Sequence, residues 1–194
     1  MKTLCVYCGS SVGIRDDYAD AARLLARHLA DNRIELVYGG ASKGLMGVMA
    51  DEMLAAGGSV VGVIPAALKE KEIAHAKLTE LHVVNSMHER KALMSDLSDA
   101  FVAMPGGFGT LEEIVEMLTW AQLQIHNKPC GLLNIAGYFD PLLSWFDRAV
   151  AEGFVRPQHR KMLLVASDPA KLLQRFDEYR APVSGKWTRQ GSAR

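Results

Sequence analysis

The feature that most constrains the fold of this chain is an alternation along its whole length. Short apolar runs of strand length alternate with longer stretches that carry apolar residues at helical spacing. Such a pattern is typical of β-α-β units, in which a helix connects two parallel strands by a right-handed crossover. The predicted strands are residues 4–8, 35–38, 59–64, 81–84, 101–104, 131–134 and 163–166, and the predicted helices are residues 18–30, 45–56, 87–97, 111–125, 139–152 and 170–179.

The alternation predicts an α/β fold with one Rossmann-like domain. We expect a mostly parallel sheet of about seven strands with helices on both faces. The 194 residues suit one domain, and no internal repeat or linker divides them. We therefore assign residues 1–180 to a nucleotide-binding domain of this type. Residues 181–194 contain Pro182, Gly185 and Gly191 without apolar periodicity, and are predicted to form a flexible tail.

The charge balance excludes several classes of partner. Lys plus Arg and Asp plus Glu each number 22, so the chain has no overall field for nucleic acid or an anionic membrane. No apolar run approaches the roughly 20 residues of a membrane helix. Residues 1–8 are too short and too strand-like for a signal peptide. We expect a cytoplasmic protein that binds neither nucleic acid nor membrane.

Cys5 and Cys8 form a C-x-x-C pattern, which in some proteins supports redox or metal chemistry. Residues three apart on a strand point to opposite faces, and no second cysteine pair completes a tetrahedral site. We interpret both as buried structural residues. His75, His82 and His88 lie close in sequence, but nothing indicates that they converge, and no metal or other cofactor is predicted.

Three predicted strands run into glycine-rich turns that open helices. These turns begin at Gly9, at Gly39 and at Gly106. Glycine lets a ligand approach the backbone amides, and the helix behind each turn presents unpaired N–H groups and a positive dipole end. One such turn needs no ligand to explain it, but three at one edge of a sheet favour a site for a phosphate-bearing nucleotide.

Two familiar nucleotide signatures are absent. The dinucleotide fingerprint G-x-G-x-x-G is missing from the first turn, so an oxidoreductase of the ordinary Rossmann type is disfavoured. Gly39 and Gly44 have the spacing of a Walker sequence. However, Leu45 and Met46 stand where Lys and Ser or Thr are required.

The helix predicted to begin near Met87 carries two cations in its first turns. Ser86 and Glu89 have the spacing of a capping box, and Arg90 and Lys91 follow directly. Cations near a helix N-terminus are unfavourable by a few tenths of a kcal/mol. Departures from such a local rule tend to mark functional sites, and a bound anion would offset this one. A solvated basic patch is the alternative.

Thr110 and Glu113 also have the spacing of a capping box. Glu113 is then either a cap only, or a carboxylate held beside a phosphate-sized turn. A carboxylate in that place could stabilise the oxocarbenium-like state of glycosidic cleavage or activate the attacking water. The local sequence leaves both interpretations open.

Several of these segments, taken together, resemble the LOG (Lonely Guy) family. Residues 105–113 read PGGFGTLEE and are similar to the family's P-G-G-x-G-T-x-x-E signature. Residues 87–91 read MHERK and are similar to its M-H-x-R-K segment. Residues 8–11, 38–47 and 118–123 resemble it too, whereas Ala41 and Lys43 depart from its usual pattern.

The resemblance implies a cytokinin riboside 5′-monophosphate phosphoribohydrolase, a type of enzyme often labelled lysine decarboxylase and one that in bacteria commonly also cleaves AMP. The substrate would be a purine nucleoside 5′-monophosphate, and the products a free base and ribose 5-phosphate. Arg90 and Glu113 would be the catalytic pair. The implied substrate-binding residues are Gly9, Ser10, Gly39, Gly40, Met46, Glu72, Lys91, Gly106, Gly107, Phe108, Gly109, Thr110, Leu111, Glu112 and Thr119.

Members of the family are homodimers or larger, and the helix from Leu111 is apolar over more of its girth than one core face requires. We therefore expect a homodimer or higher homo-oligomer, although a helix covered entirely by the core of its own chain would show the same pattern. The alternative function is a non-catalytic nucleotide- or cofactor-binding carrier, because the molybdenum cofactor carriers resemble this family in the glycine-rich signature. The M-H-x-R-K segment joined to Glu113 favours the enzyme.

Overall fold

Seven parallel strands form one sheet at the centre of the molecule. A computed structural model describes residues 1–69 and 74–182. The strands are β1 (Thr3–Tyr7), β2 (Glu35–Tyr38), β3 (Val60–Pro65), β4 (Glu80–Val84), β5 (Ala100–Ala103), β6 (Cys130–Leu133) and β7 (Leu163–Ala166). They lie in the order β4-β3-β2-β1-β5-β6-β7, and every neighbouring pair is parallel.

Helices connect the strands and cover both faces of the sheet. They are α1 (Asp16–Asp31), α2 (Gly44–Ala55), α3 (Ala66–Lys69), α4 (Met87–Leu97), α5 (Phe108–Gln122), α6 (Asp140–Ala151), α7 (Pro157–Arg160) and α8 (Pro169–Glu178), with a 3-10 turn at Ile135–Gly137. The prediction of an α/β fold with a parallel sheet of seven strands is confirmed.

Side-chain alternation on the strands creates two cores. On β1, Leu4 and Val6 pack with α1, α2 and α8, whereas Cys5 and Tyr7 pack with α4, α5 and α6. Cys8 belongs to the first core, so the two cysteines of the C-x-x-C pattern are buried on opposite faces and are free. Their interpretation as structural residues agrees with this placement.

The chain reverses its direction of winding between β1 and β5. The order runs outward from β1 through β2 to β4 on one side, and from β5 to β7 on the other. In open α/β sheets, ligands bind beyond the carboxyl ends of the strands at such a reversal. The first and third glycine-rich turns leave β1 and β5 here, and the second leaves the neighbouring β2.

The predicted elements differ from the structure mainly in short segments and at one helix start. The one-turn helices α3 and α7 were not predicted, because four residues are too few to show a helical period. The helix predicted at residues 111–125 begins three residues earlier, at Phe108. Most of the predicted tail, residues 183–194, lies outside the described residues.

None of the helices in the described part of the chain combines the length and apolar character that a bilayer crossing requires.

Candidate active site

The three glycine-rich turns contact one another at the carboxyl edge of the sheet. The backbone N–H of Gly9 donates to the carbonyl oxygen of Pro105 at 3.0 Å, which joins the first and third turns. The N–H of Leu45 donates to the carbonyl oxygen of Gly9 at 3.0 Å, which joins the second turn to the first. The predicted convergence of the turns is therefore present in the structure.

Two of the glycines are required because backbone passes close to them. Gly44 has a φ of +62°, and a Cβ on it would overlap the backbone of Ser10 and Ser11. A Cβ on Gly106 would overlap the Thr110 hydroxyl and lie 2.8 Å from the backbone nitrogen of Gly9. Any larger residue at these two positions would separate the turns.

Helix α5 begins with exposed backbone rather than with a side-chain cap. Gly107 is its N-cap residue and makes no side-chain cap, while Phe108 is 95% exposed. The first N–H groups of a helix have no partner within it, so this end suits an anion. The capping box predicted at Thr110 and Glu113 is wrong, because glycine at position 107 allows the helix to start a turn earlier.

The earlier start makes Glu113 the sixth residue of α5 and directs it into the protein. Its carboxylate Oε1 lies 3.9 Å from Nη2 of Arg90 on α4. Arg90 is 6% exposed and Glu113 is 9% exposed. The sequence left open whether Glu113 only caps the helix or serves as a carboxylate beside the turn, and its position within α5 excludes the cap. The structure brings the two predicted catalytic residues together as a buried ion pair.

The Arg90 guanidinium lies against the second glycine-rich turn. A Cβ on Gly39 would overlap Nη2 of Arg90, and the Met46 sulfur lies 3.2 Å from the same Cβ position. On the other side, Nη1 of Arg90 approaches the Met87 sulfur at 3.8 Å. Glycine at position 39 thus leaves the space that the guanidinium fills.

The start of α4 is capped as the sequence indicated. The Ser86 hydroxyl accepts the N–H of Glu89 at 3.1 Å, and the Glu89 carboxylate accepts the N–H of Asn85 at 2.8 Å. The cap fixes the first turn of the helix. Arg90 and Lys91, which follow it, are both buried, so the alternative of a solvated basic patch is wrong.

Lys91 joins α4 to α5 beside the Arg90–Glu113 pair. Its ammonium forms ion pairs with Glu112 and, at 3.0 Å, with Glu116. Burial lowers the pKa of Lys91, but the hydrogen bonds that its ammonium donates to these two carboxylates outweigh burial and leave the pKa above its ordinary value. Arg90 and Lys91 on α4 thus pair with the neighbouring residues Glu113 and Glu112 on α5, and these two ion pairs connect the helices.

Tyr7 is close enough to Glu113 for their charges to interact, and it was not identified from the sequence. It is 2% exposed, at the end of β1, and its hydroxyl lies beside the Cys5 thiol. Burial raises its pKa well above the ordinary range, and neighbouring Cys5 and Glu113 raise it further. A buried tyrosine on a strand looks like core in the sequence, so no signal distinguished it.

A cavity of about 300 Å³ opens between the first and third turns. Two tyrosines form part of its wall, Tyr18 from α1 and Tyr138 from the segment before α6, and neither was predicted to belong to the site. The other lining residues are Gly9, Ser10, Ser11, Val12, Gly13, Leu45, Pro105, Gly106 and Gly107.

Most of the residues predicted to bind substrate surround this region. Gly9, Ser10, Gly106 and Gly107 line the cavity. The predicted residues Phe108, Gly109, Thr110, Leu111 and Glu112 form the first turns of α5, while Gly39, Gly40 and Met46 lie on the second glycine-rich turn and the helix that follows it. Glu72 lies outside the described residues.

Thr119 is the predicted residue that the structure places elsewhere. It is exposed on α5, six residues and about 9 Å along the helix axis from Glu113. Its hydroxyl donates to the carbonyl oxygen of Val115 at 2.8 Å. Thr119 lines a separate groove of about 200 Å³ between α5, α6 and α7.

No group of three or more His, Cys, Asp or Glu side chains in residues 1–69 and 74–182 is arranged to hold a metal ion.

Comparison with known proteins identifies the family of this chain. A family described as possible lysine decarboxylase matches residues 46–176. Cytokinin riboside 5′-monophosphate phosphoribohydrolase LOG5 of Arabidopsis thaliana is 49% identical over 183 residues, which cover 94% of this chain and 80% of that protein. The phosphoribohydrolase LOG of Oryza sativa subsp. japonica is 47% identical over 178 residues, covering 92% and 74%.

Solved structures with lower identity share the fold. The molybdenum cofactor carrier protein of Chlamydomonas reinhardtii has a TM-score of 0.68 at 20% identity, covering 91% of this chain and 96% of that one. The molybdenum cofactor binding protein of Rippkaea orientalis has a TM-score of 0.69 at 21% identity, covering 92% and 97%. The family match and the near-50% identities are far more specific, and by them the chain belongs to the LOG family of cytokinin riboside 5′-monophosphate phosphoribohydrolases.

Proposed function

We propose that this chain hydrolyses the N-glycosidic bond of a purine nucleoside 5′-monophosphate, of the cytokinin type or AMP, to free base and ribose 5-phosphate. The observation that carries this proposal is the buried pair of Arg90 and Glu113 beside the converging glycine turns. Relatives at 47–49% identity bear the name of this activity.

The glycine turns and the start of α5 are proposed to hold the 5′-phosphate. The amide groups at Gly107, Phe108 and Gly109 open a helix that has no side-chain cap, so they are suited to an anion. The Thr110 side chain packs against Gly106 and adds a hydroxyl next to these amides. Gly9 and Ser10 contribute the facing turn.

Glu113 and Arg90 are proposed to carry out the cleavage. As the C1′–N bond lengthens, positive charge develops on the sugar, and the Glu113 carboxylate stabilises it and orients the attacking water. The water oxygen bonds to C1′, the electrons of the broken bond leave with the base, and the proton lost by water neutralises the base. Arg90 orients the carboxylate and the sugar.

The residues around the pair are proposed to shape the rest of the pocket. Gly39 and Gly40 leave room beside the guanidinium, and Met46 forms an apolar neighbour. The roles of Glu72 and Leu111 as substrate contacts remain predictions from the resemblance. For Lys91 and Glu112 we favour an indirect role, in which their ion pair holds α4 against α5.

We also propose that the protein is a homodimer whose partner covers the groove between α5, α6 and α7. Exposed aromatic and aliphatic side chains line this groove: Trp145 is 62% exposed and Val115 is 37% exposed. Thr119 lies in the same groove, away from Glu113, so a contact between Thr119 and substrate would require the active site of a second copy. Light scattering would give the mass of a dimer, and Trp145→Glu should reduce it.

A cytoplasmic location is proposed as well, because the three cysteines are free and buried, as is usual in reducing compartments.

The experiment that tests the reaction supplies AMP and, in parallel, isopentenyladenosine 5′-monophosphate to the purified protein. Chromatography should detect adenine or its isopentenyl form together with ribose 5-phosphate, without free nucleoside. The ratio of the two rates would define the preferred base. Binding of both nucleotides without any release of base would instead favour a carrier function.

A further inference from the structure

The segment between β6 and α6 makes a specific contact with the third glycine-rich turn. The Tyr138 hydroxyl donates to the carbonyl oxygen of Gly106 at 2.6 Å. The ring makes edge contacts with Tyr18 and Phe139, with centroid distances of 5.7 Å and 5.1 Å. The ring is therefore held on two sides while its hydroxyl reaches the turn.

The backbone that presents Tyr138 is strained and firmly anchored. Ala136 has a φ of +50° and a ψ of +30°, and Gly137 has a φ of +72°. The left-handed region disfavours alanine, and such strain persists only when the surroundings impose it. Here Asn134 imposes it: its side-chain oxygen accepts the N–H of Phe139 at 2.7 Å, and its amide donates to Asp140 at 2.7 Å.

The contact fixes the orientation of one peptide group. The carbonyl of Gly106 and the N–H of Gly107 belong to the same planar trans peptide, so they point in opposite directions. With the carbonyl held by Tyr138, the N–H of the N-cap residue Gly107 is directed away from that ring. Without the contact, glycine on both sides of the peptide would let it rotate and present an oxygen to the anion.

We propose that Tyr138 is a positioning residue for phosphate recognition, acting through the Gly106–Gly107 peptide. The hydrogen bond polarises this peptide and keeps its N–H, rather than its oxygen, available to the 5′-phosphate. In this interpretation, the strained backbone of residues 134–138 places the Tyr138 hydroxyl against the Gly106 carbonyl. The inference rests on the proposed function, because it assumes that this turn binds the phosphate of the substrate.

The test compares wild type, Tyr138→Phe and Tyr179→Phe in calorimetric titrations with ribose 5-phosphate. Tyr179→Phe is the matched control, since it removes a tyrosine hydroxyl beyond α8, outside the site. Tyr138→Phe should weaken binding of ribose 5-phosphate by roughly 5- to 10-fold, the effect of one lost hydrogen bond, and the control should not. With AMP as substrate, KM should rise by a similar factor and kcat should change less.

A second readout separates positioning from direct contact with the phosphate. The Gly107 amide resonance of the ligand-free protein should shift in Tyr138→Phe, whereas loss of a direct contact alone would leave it unchanged. Should Tyr138→Phe fold poorly, Gly137→Ala provides another variant, because its Cβ would lie 2.6 Å from Asp140 and displace the segment. It should cause the same loss of ribose 5-phosphate affinity.

Failure of this inference differs from failure of the proposed reaction. If wild type releases base but Tyr138→Phe binds ribose 5-phosphate as wild type does, the positioning role is overturned. If wild type releases no base while Tyr138→Phe weakens ribose 5-phosphate binding, the positioning role stands and the reaction is wrong. Failure of wild type to bind ribose 5-phosphate would overturn the inference as well.

Discussion

The two halves of the site are built from different materials. On the proposed phosphate side, around Gly9, Gly44 and Gly106, backbone groups and the absence of side chains create the surface. On the side of α4 and α5, the site consists of charged side chains that are more than nine-tenths buried, Arg90 and Lys91 among them. We therefore expect the first region to be disrupted by substitutions that add atoms to its glycines, and the second by substitutions that remove its charged groups.

The difference follows from what the proposed reaction would require of each half. Backbone amides recognise a phosphate that carries its charge throughout the reaction, and they need only be uncovered and aimed. Charge at C1′ develops only in the transition state, so a group that responds to it must already be ionised and fixed, even though burial of a charge is unfavourable. Pairing Arg90 with Glu113 makes that burial tolerable.

Removal of the cation should have the largest effect on the side-chain half. Arg90→Ala is expected to lower kcat/KM for AMP by about 10³-fold, because the buried carboxylate loses the group that orients it. Arg90→Lys keeps the charge but not the planar group, and should recover only part of the activity. Steady-state kinetics measure both; near-normal activity of Arg90→Ala would remove the pair from the mechanism.

Adding one methyl group where the two halves meet should have the next largest effect. Gly39→Ala places a Cβ on the Arg90 guanidinium and should lower kcat by about 10- to 100-fold through misplacement of that group. Gly131→Ala is the control. Its Cβ would lie 2.8 Å from the ring of Phe176 on α8, so it crowds the core without touching the guanidinium. Similar losses of activity in both variants would show that general destabilisation, not the guanidinium, explains the effect.

A smaller effect is expected when the ion pairs of Lys91, which connect α4 to α5, are removed. Lys91→Met should lower the free energy of unfolding by about 1 to 2 kcal/mol, because Glu112 is exposed and stays solvated whereas the buried Oε2 of Glu116 loses its partner. KM for AMP should change little. A large rise in KM with unchanged stability in urea titrations would instead support the substrate contact that the family resemblance implies for Lys91.

The smallest effect concerns the three buried thiols. Burial raises the pKa of the Cys5 thiol to about 12, and it also raises the pKa of Cys8 and Cys130. All three stay protonated at pH 8, and the thiolate is the reactive form. Iodoacetamide at pH 8 should therefore leave activity and mass unchanged over an hour. Rapid labelling of native protein would show that these residues are more accessible than the structure indicates.

The sequence predicted the backbone half of the site better than the side-chain half. Glycine at 9, 39 and 106 marks the turns directly, since few other requirements explain glycine there. The capping signal at Ser86 likewise located the start of α4. The capping box at Thr110 gave a wrong helix start, because that pattern fits any local start. Gly107 allows α5 to begin one turn earlier, and this earlier start buries Glu113.

Other parts of the site had no local signal at all. Tyr138 reaches Gly106 across 32 positions of sequence, and only the strained backbone at Ala136 aims it there. Tyr7 resembles any aromatic residue of a buried strand. Thr119, predicted from the family resemblance, lies in a groove that we propose a second copy of the chain covers.

The most direct test of the proposed role of Glu113 is a comparison of binding and turnover in Glu113→Gln. The amide has nearly the volume of the carboxylate but no charge, so the backbone half should be unaffected. We expect AMP to bind within about threefold of wild type in calorimetry, while release of adenine falls by at least about 10³-fold. Adenine release near the wild-type rate in this variant would contradict the assignment of Glu113 as the group that stabilises the transition state.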